Sequence, residues 1–177
     1  MTTILNWAMS ENNTDQIVSA LSTEFAENIL EVDNSGDILM VEITPGHVLE
    51  VIRFLKDNAA FGFNYLTLIG AVHYPDNADR ELCVIYHLHN WRKNVRIRVK
   101  AYLAIKHPEI QSITSIFDGA NWMERETYDF YGVQFKNHPD LRRILNEDSM
   151  DYFPMRKQYH LEDETREDKD DRYFGRQ

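Results

Sequence analysis

Three carboxylates, Glu124, Glu126 and Asp129, stand within six residues of one another, interleaved with Arg125 and followed by Arg142 and Arg143. Two carboxyl groups in unlike surroundings can divide the work of a general acid and a general base, so hydrolysis is the first chemistry to test. Such a site also needs a nucleophile, a metal or a cradle for a cofactor. The chain has no glycine-rich phosphate loop, no G-x-S-x-G elbow and no H-E-x-x-H run, which leaves a free-standing acid-base enzyme as the weaker reading. Cys83, His87 and His89 form a second constellation, on one side of a predicted strand, with His73 placed to lie on its neighbour. These are zinc-donor types, but the spacing specifies neither a fourth ligand nor the groups behind it. Cys83 is therefore expected in the core and the histidines as polar strand residues. Arg142 and Arg143 suit salt bridges and carboxylate forks better than catalysis.

A short predicted helix carries the carboxylates. Asn121 with Glu124 three residues on reads as a capping box, and Gly132 reads as the stop. On a 3.6-residue period Trp122, Arg125, Glu126 and Asp129 share one face, while Met123, Thr127 and Phe130 share another that is expected to turn inward. Asp129 sits near the negative end of this helix, where a carboxylate is disfavoured by up to about 1 kcal/mol. The Arg125 to Asp129 pair also runs in the weaker, base-before-acid order. Local electrostatics does not ask for these acids, so they are expected to meet cations elsewhere in the chain or on a partner.

The run Glu124-Arg125-Glu126-Thr127-Tyr128-Asp129-Phe130-Tyr131-Gly132, followed by His138-Pro139-Asp140-Leu141-Arg142-Arg143-Ile144-Leu145, resembles the signature of the C-type subunit of proton-translocating NADH:quinone oxidoreductase, respiratory complex I. The family's arm carries G-H-P-L-R-K, where this chain has Tyr152-Phe153-Pro154-Met155-Arg156-Lys157 and so keeps the proline, arginine and lysine. The resemblance implies a structural subunit of the peripheral arm, on the cytoplasmic side of the membrane. It implies no catalytic site and no cofactor in this chain, with FMN and iron–sulfur clusters in partner subunits. It also implies other peripheral-arm subunits as partners, especially the D-type subunit, around which the C-terminal arm is laid, and the B-type subunit. NADH oxidation, quinone reduction and ion translocation then belong to the assembly. The corresponding subunit of a related membrane-bound hydrogenase or dehydrogenase is the alternative of the same class. The residues expected to bind partners are Glu124, Arg125, Glu126, Asp129, His138, Arg142 and Arg143 from the two runs. From the arm they are Tyr152, Phe153, Arg156, Lys157, Tyr173 and Phe174.

Composition agrees with this reading and narrows the others. A net charge of -10 and a pI near 5.1 argue against general nucleic-acid binding, which draws on Lys and Arg against phosphates. The single cysteine leaves no internal disulfide and no self-contained iron–sulfur site, which takes about four thiolates. No run approaches the roughly 20 apolar residues that span a bilayer, and Met1 to Met9 has neither the basic start nor the apolar core of a secretion signal. Any membrane association is expected to come through other proteins.

The remaining elements follow from periodicity. Ile17, Ala20, Leu21 and Phe25 form one helical stripe, with Ser10 or Thr14 as its cap. Residues 29–32 and 38–43 flank the turn-rich stretch Asp33 to Asp37 and are expected to pair antiparallel. Val48, Val51, Ile52, Leu55 and Ala59 mark a second amphipathic helix. Residues 63–73 and 81–89 read as a hairpin, and 92–102 as a strand that alternates Val95, Ile97 and Val99 against Arg96, Arg98 and Lys100. That basic stripe is either a solvated sheet face or a docking edge for an acidic partner. The expected fold class is α+β: an antiparallel sheet with helices on one face over residues 1–135, then an extended C-terminal arm over 136–177. The arm holds more large apolar groups than a solvated linker needs, and is expected to order on a partner.

Overall fold

The computed structural model describes residues 11–159. Helix α1 (Glu11–Phe25) leads through a short 3-10 turn into the antiparallel pair β1 (Ile29–Asp33) and β2 (Leu39–Ile43). A second 3-10 turn at Pro45–His47 starts α2 (Val48–Asp57), which buries Val48, Val51, Ile52 and Leu55. The hairpin β3 (Tyr65–His73) and β4 (Leu82–Asn90) follows, then β5 (Val95–Leu103). Thr14 lies inside α1 and is buried, so it does not cap that helix, and Ser10 lies outside the described residues.

The strands form one sheet in the order β1-β2-β5-β4-β3. It is antiparallel throughout except at β2 and β5, which run parallel with Val41 opposite Val99. Each antiparallel pair is announced by a local turn. The parallel pair joins two such units across the middle of the sheet and needs a crossover, here including α2, so no turn residue marks it. Along β5 the alternation falls as expected, with Val95, Ile97, Val99, Ala101 and Leu103 buried and Arg96 exposed. Val84, Tyr86 and Leu88 of β4 join them, and α1 and α2 supply Ile17, Leu21, Val51 and Ile52 to the same core.

Beyond β5 a small crossover unit completes the described chain: β6 (Glu109–Gln111), α3 (Ala120–Tyr131) and β7 (Gln134–Lys136), with β6 and β7 paired parallel. Helix α3 packs against β3. It begins at Ala120 with Gly119 as its N-cap, so Asn121 already lies in the first turn and the expected capping box does not form. It ends at Gly132, whose φ of 77° closes the turn with an N–H donated to Tyr128 O at 2.8 Å. Residues 137–159 contain no helix or strand and run back along α3.

Candidate functional site

The α3 helix turns two of its three carboxylates inward and one outward. Ala120, Glu124, Arg125, Thr127 and Asp129 are buried, whereas Glu126 is exposed and Met123 and Phe130 are only half-buried. The inward side is therefore the one that carries charge, and of the expected apolar face only Thr127 is fully covered. Asp129 and Arg125 find their partners in the segment that returns along the helix, and Glu124 does not.

Asp129 is saturated. Its Oδ1 accepts a 2.7 Å bond from Arg143 Nη1, and its Oδ2 accepts the backbone N–H groups of Ile144, Leu145 and Asn146 at 3.1, 2.8 and 2.9 Å. Burial pushes the carboxyl upward in pKa, but three backbone donors and a guanidinium outweigh it and hold Asp129 well below the usual carboxylate range. Arg143 also donates to the carbonyls of Asp129, Met150 and Tyr152, and lies 5.3 Å from the centre of the Phe153 ring. The expected cation for the surplus acid is thus in the same chain, fourteen residues on.

Further bonds fasten the segment on either side. Arg125 donates to the carbonyls of Arg142 and Arg143 at 3.2 and 3.1 Å and lies over Trp122. Arg156 donates to Tyr131 O at 2.8 Å and stacks on Phe153 at 4.6 Å. Phe153 sits edge-on to Tyr128 and directly above Gly132, where an added Cβ would come within 2.5 Å of its ring. Gly132 is required twice, by its left-handed φ and by this close approach. Lys157 N donates to His73 Nδ1 at 2.9 Å, tying the segment to the end of β3.

Glu124 has a different environment. Its side chain is fully buried, with Oε1 accepting Ile113 N–H at 2.7 Å and Oε2 without a hydrogen-bond partner. Burial pushes its pKa up to about 7 against the lowering effects of that backbone bond and of the Ser112 hydroxyl. His138 stands 3.9 Å away, too far for a hydrogen bond. Its Nε2 faces Asn121 O at 3.2 Å while Nδ1 accepts Asp140 N–H at 3.0 Å, a pattern that calls for the neutral ring. Burial lowers the pKa of His138 to the same effect.

Of the other expected site residues, Arg142 is exposed and pairs with Asp140 at 2.9 Å. Tyr152 and Lys157 are exposed, Tyr152 beside Tyr159, while Tyr173 and Phe174 lie outside the described residues. The zinc constellation does not assemble. The register pairs His73 with Leu82, which puts His73 on the core side of the sheet, while Cys83, His87 and His89 point to the other side. Among the described residues no three His, Cys, Asp or Glu side chains converge on a metal-sized space. Burial pushes the Cys83 thiol up to about 11, which makes it a poor nucleophile. Sequence reasoning missed the buried Glu42, held by Arg80 at 2.6 Å with Arg80 in turn over Tyr102. No spacing rule links residues 38 apart.

Asp129 has no oxygen open to a substrate and Glu124 no exposed atom, while a cavity lined by Ile17, Phe61, Phe63 and Lys93 contains neither. The arrangement is a clamp that fixes the course of residues 138–157 and leaves Glu126, Trp122, Leu145 and Tyr152 facing outward.

Comparison with known proteins accounts for such a chain. Residues 41–165 match the family described as respiratory-chain NADH dehydrogenase, 30 Kd subunit. The C-type subunit of NADH-quinone oxidoreductase from Mesorhizobium japonicum is 40% identical over 148 residues, covering 81% of this chain and 73% of that protein. Its counterpart in Geobacter sulfurreducens is 37% identical over 90% of this chain and 96% of its own length. The mitochondrial NADH dehydrogenase (ubiquinone) iron-sulfur protein 3 of Candida albicans is 44% identical over 70% of this chain, a match that spans 43% of that longer protein. Among solved structures, a trypsin-resistant fragment of Nqo5 superposes with a TM-score of 0.60 at 27% identity, covering 73% of this chain and 99% of the fragment. A chain of an archaeal membrane-bound sulfane sulfur reductase shares the fold, with a TM-score of 0.68 at 22% identity over 83% of this chain and 85% of that one. The clamped α3 and strands β3 to β6 lie within the matched span, and the chain belongs to the 30 Kd subunit family of respiratory-chain NADH dehydrogenase.

Proposed function

We propose that this chain is a non-catalytic structural subunit of the peripheral arm of NADH:quinone oxidoreductase, on the cytoplasmic side of the membrane, where it contacts the D-type and B-type subunits. The observation that carries the proposal is the α3 clamp inside a chain of this family. Asp129 and Arg125 of α3 fix the returning segment, and the helix and segment together present contact surface outward: Trp122 at 60% and Leu145 at 64% exposure, with Glu126, Arg142 and Tyr152 around them. Exposed aromatic and aliphatic anchors rimmed by charge are the composition of a protein interface. Glu124, Arg125, Asp129, His138, Arg143, Phe153 and Arg156 serve that interface indirectly, by setting the course of the chain that displays it.

In this reading the chain holds no FMN, iron–sulfur cluster or zinc, and neighbouring subunits hold the redox groups and the quinone site. The scattered His and Cys donors of the sheet support that. No described helix is long and apolar enough to cross a membrane, so membrane contact comes through the assembly. Affinity purification of a tagged copy tests the proposal. Recovery of the subunits of NADH:quinone oxidoreductase, together with a featureless visible spectrum for the isolated chain, is the expected result. Recovery of hydrogenase subunits instead, or turnover by the isolated chain, would overturn it.

A further inference from the structure

Among the described residues, no helix covers the side of the main sheet turned away from α1 and α2 over its β3, β4 and β5 strands, and its make-up is not that of a solvated face. On β3 and β4 it carries an apolar strip: Leu68, Gly70 and Val72, with Ile85 opposite Gly70, and the strip ends at Val72, where the facing Cys83 is already covered. Leu68 is 48% exposed and Tyr65, on the same side by its pairing with His89, is 55% exposed. A Cβ built on Gly70 meets nothing within 4 Å. Glycine weakens a strand interior and is found where another backbone comes close. Here no backbone of the described chain does so.

Beside the strip runs a row of cations. Arg96 and Arg98 of β5 lie opposite His89 and His87, and Arg98 Nε is bonded to His87 Nε2 at 3.1 Å. Neither arginine forms an ion pair with a carboxylate of the described chain. Lys100, by contrast, lies opposite Ile85 and beside Glu42, at the sheet's acidic corner with Asp33. Two guanidiniums without a carboxylate on a chain of net charge -10, flanking an apolar strip with a glycine at its centre, form a surface complementary to one kind of ligand.

We propose that this sheet face docks a segment of another subunit of the complex, a segment with an apolar row that lies over Gly70 and Asp or Glu side chains that meet Arg96 and Arg98. The inference rests on the chain being a subunit of that assembly and adds a second docking face, on the opposite side of the sheet from the α3 clamp. Gly70 makes the interface testable without damage to the fold, because a larger residue there enters open space and raises strand propensity.

The test expresses full-length tagged chain carrying Gly70→Tyr, R96E/R98E or R96K/R98K beside the complete complex, and measures both the melting temperature of each free chain and its recovery in the complex. Gly70→Tyr and R96E/R98E are expected to melt within a few degrees of wild type and yet be recovered at least tenfold less, while R96K/R98K assembles as wild type. In the R96K/R98K complex, zero-length carbodiimide coupling should join an amine introduced at position 96 or 98 to a carboxylate of another subunit. Coupling only to Glu162 to Asp171 of this same chain would overturn the proposal, as would binding of the free chain to vesicles of 30% anionic phospholipid that is lost in R96E/R98E. Wild-type recovery of both disruptive variants would overturn it as well. Failure of the wild-type chain itself to recover the complex would instead reject its assignment to that assembly, so the two failures are separable.

Discussion

The two ends of α3 bury a carboxylate each and treat it in opposite ways. At the C-terminal end Asp129 receives three backbone N–H groups and the Arg143 guanidinium, and stays charged. One turn and a half earlier Glu124 receives a single N–H from Ile113, has an unpartnered Oε2 and lies near a neutral His138, and its pKa rises to about 7. Both side chains are fully covered, but Glu124 lies deeper in the protein and has fewer donors, and the two effects together set them apart. Asp129 is thus a fastening whose charge organises the returning chain, whereas Glu124 is a buried group that becomes costly to ionise.

The largest expected effect comes from removing the charged end. Asp129→Ala leaves three backbone donors without their acceptor and a nearly buried guanidinium without its counter-charge, and is expected to cost about 3–5 kcal/mol. Chemical denaturation gives the stability, and limited proteolysis between residues 138 and 157 shows whether the segment has come free. A loss below about 1 kcal/mol would mean the clamp does not hold the segment.

Glu124 predicts a pH dependence of opposite sign to that of Asp129. Its folded pKa is raised above the unfolded value, so its site is fully compatible with folding below about 4.5, and stability is lost as pH rises from there through about 7. The full loss is on the order of 3 kcal/mol, by 1.36 kcal/mol per unit. Asp129 has a lowered folded pKa, so its contribution is present above about 4 and is lost as pH falls below that. Relative to wild type, Glu124→Gln should gain stability as pH rises from 4.5 to 7 and leave the acid limb in place.

Gly132→Ala tests the charged end through packing alone. A left-handed φ costs a side chain about 1–2 kcal/mol, and displacement of the Phe153 ring adds to it, for about 2–3 kcal/mol in all. The Glu124 slope should persist in this variant, since the Phe153 contact lies at the other end of the helix. Glu126→Lys marks the lower bound: the side chain is exposed, and the free chain should change by less than about 0.5 kcal/mol while assembly into the complex falls. Equal assembly of this variant would remove Glu126 from the docking surface.

Most of the main sheet was legible because its strands alternate or follow one another through short turns, as β5 and the β3-β4 hairpin show. The parallel β2-β5 pair was not, since long-range pairing leaves no local mark. At α3 the surplus of acid pointed correctly to a cation elsewhere, and Arg143 supplies it. The three backbone donors to Asp129 were invisible because any sequence at 144–146 has N–H groups. Glu124 looked like a capping residue because the spacing of a capping box matched; a helix start two residues earlier than Asn121's role required turned the carboxyl into the core instead. The face of His73 depended on the register of the hairpin, and one residue of slip decides whether it joins Cys83 and His87 or opposes them.

The central claim, that the two buried carboxylates of α3 titrate in opposite senses, is tested most directly by urea unfolding of the wild-type chain, Glu124→Gln and Asp129→Asn across pH 3 to 8. The expected result is that Glu124→Gln gains stability relative to wild type as pH rises from 4.5 to 7, over the opposing slope contributed by His73, His87 and His138, and that Asp129→Asn loses part of the acid limb. A Glu124→Gln variant whose stability difference from wild type stays constant from pH 4.5 to 7 would contradict it.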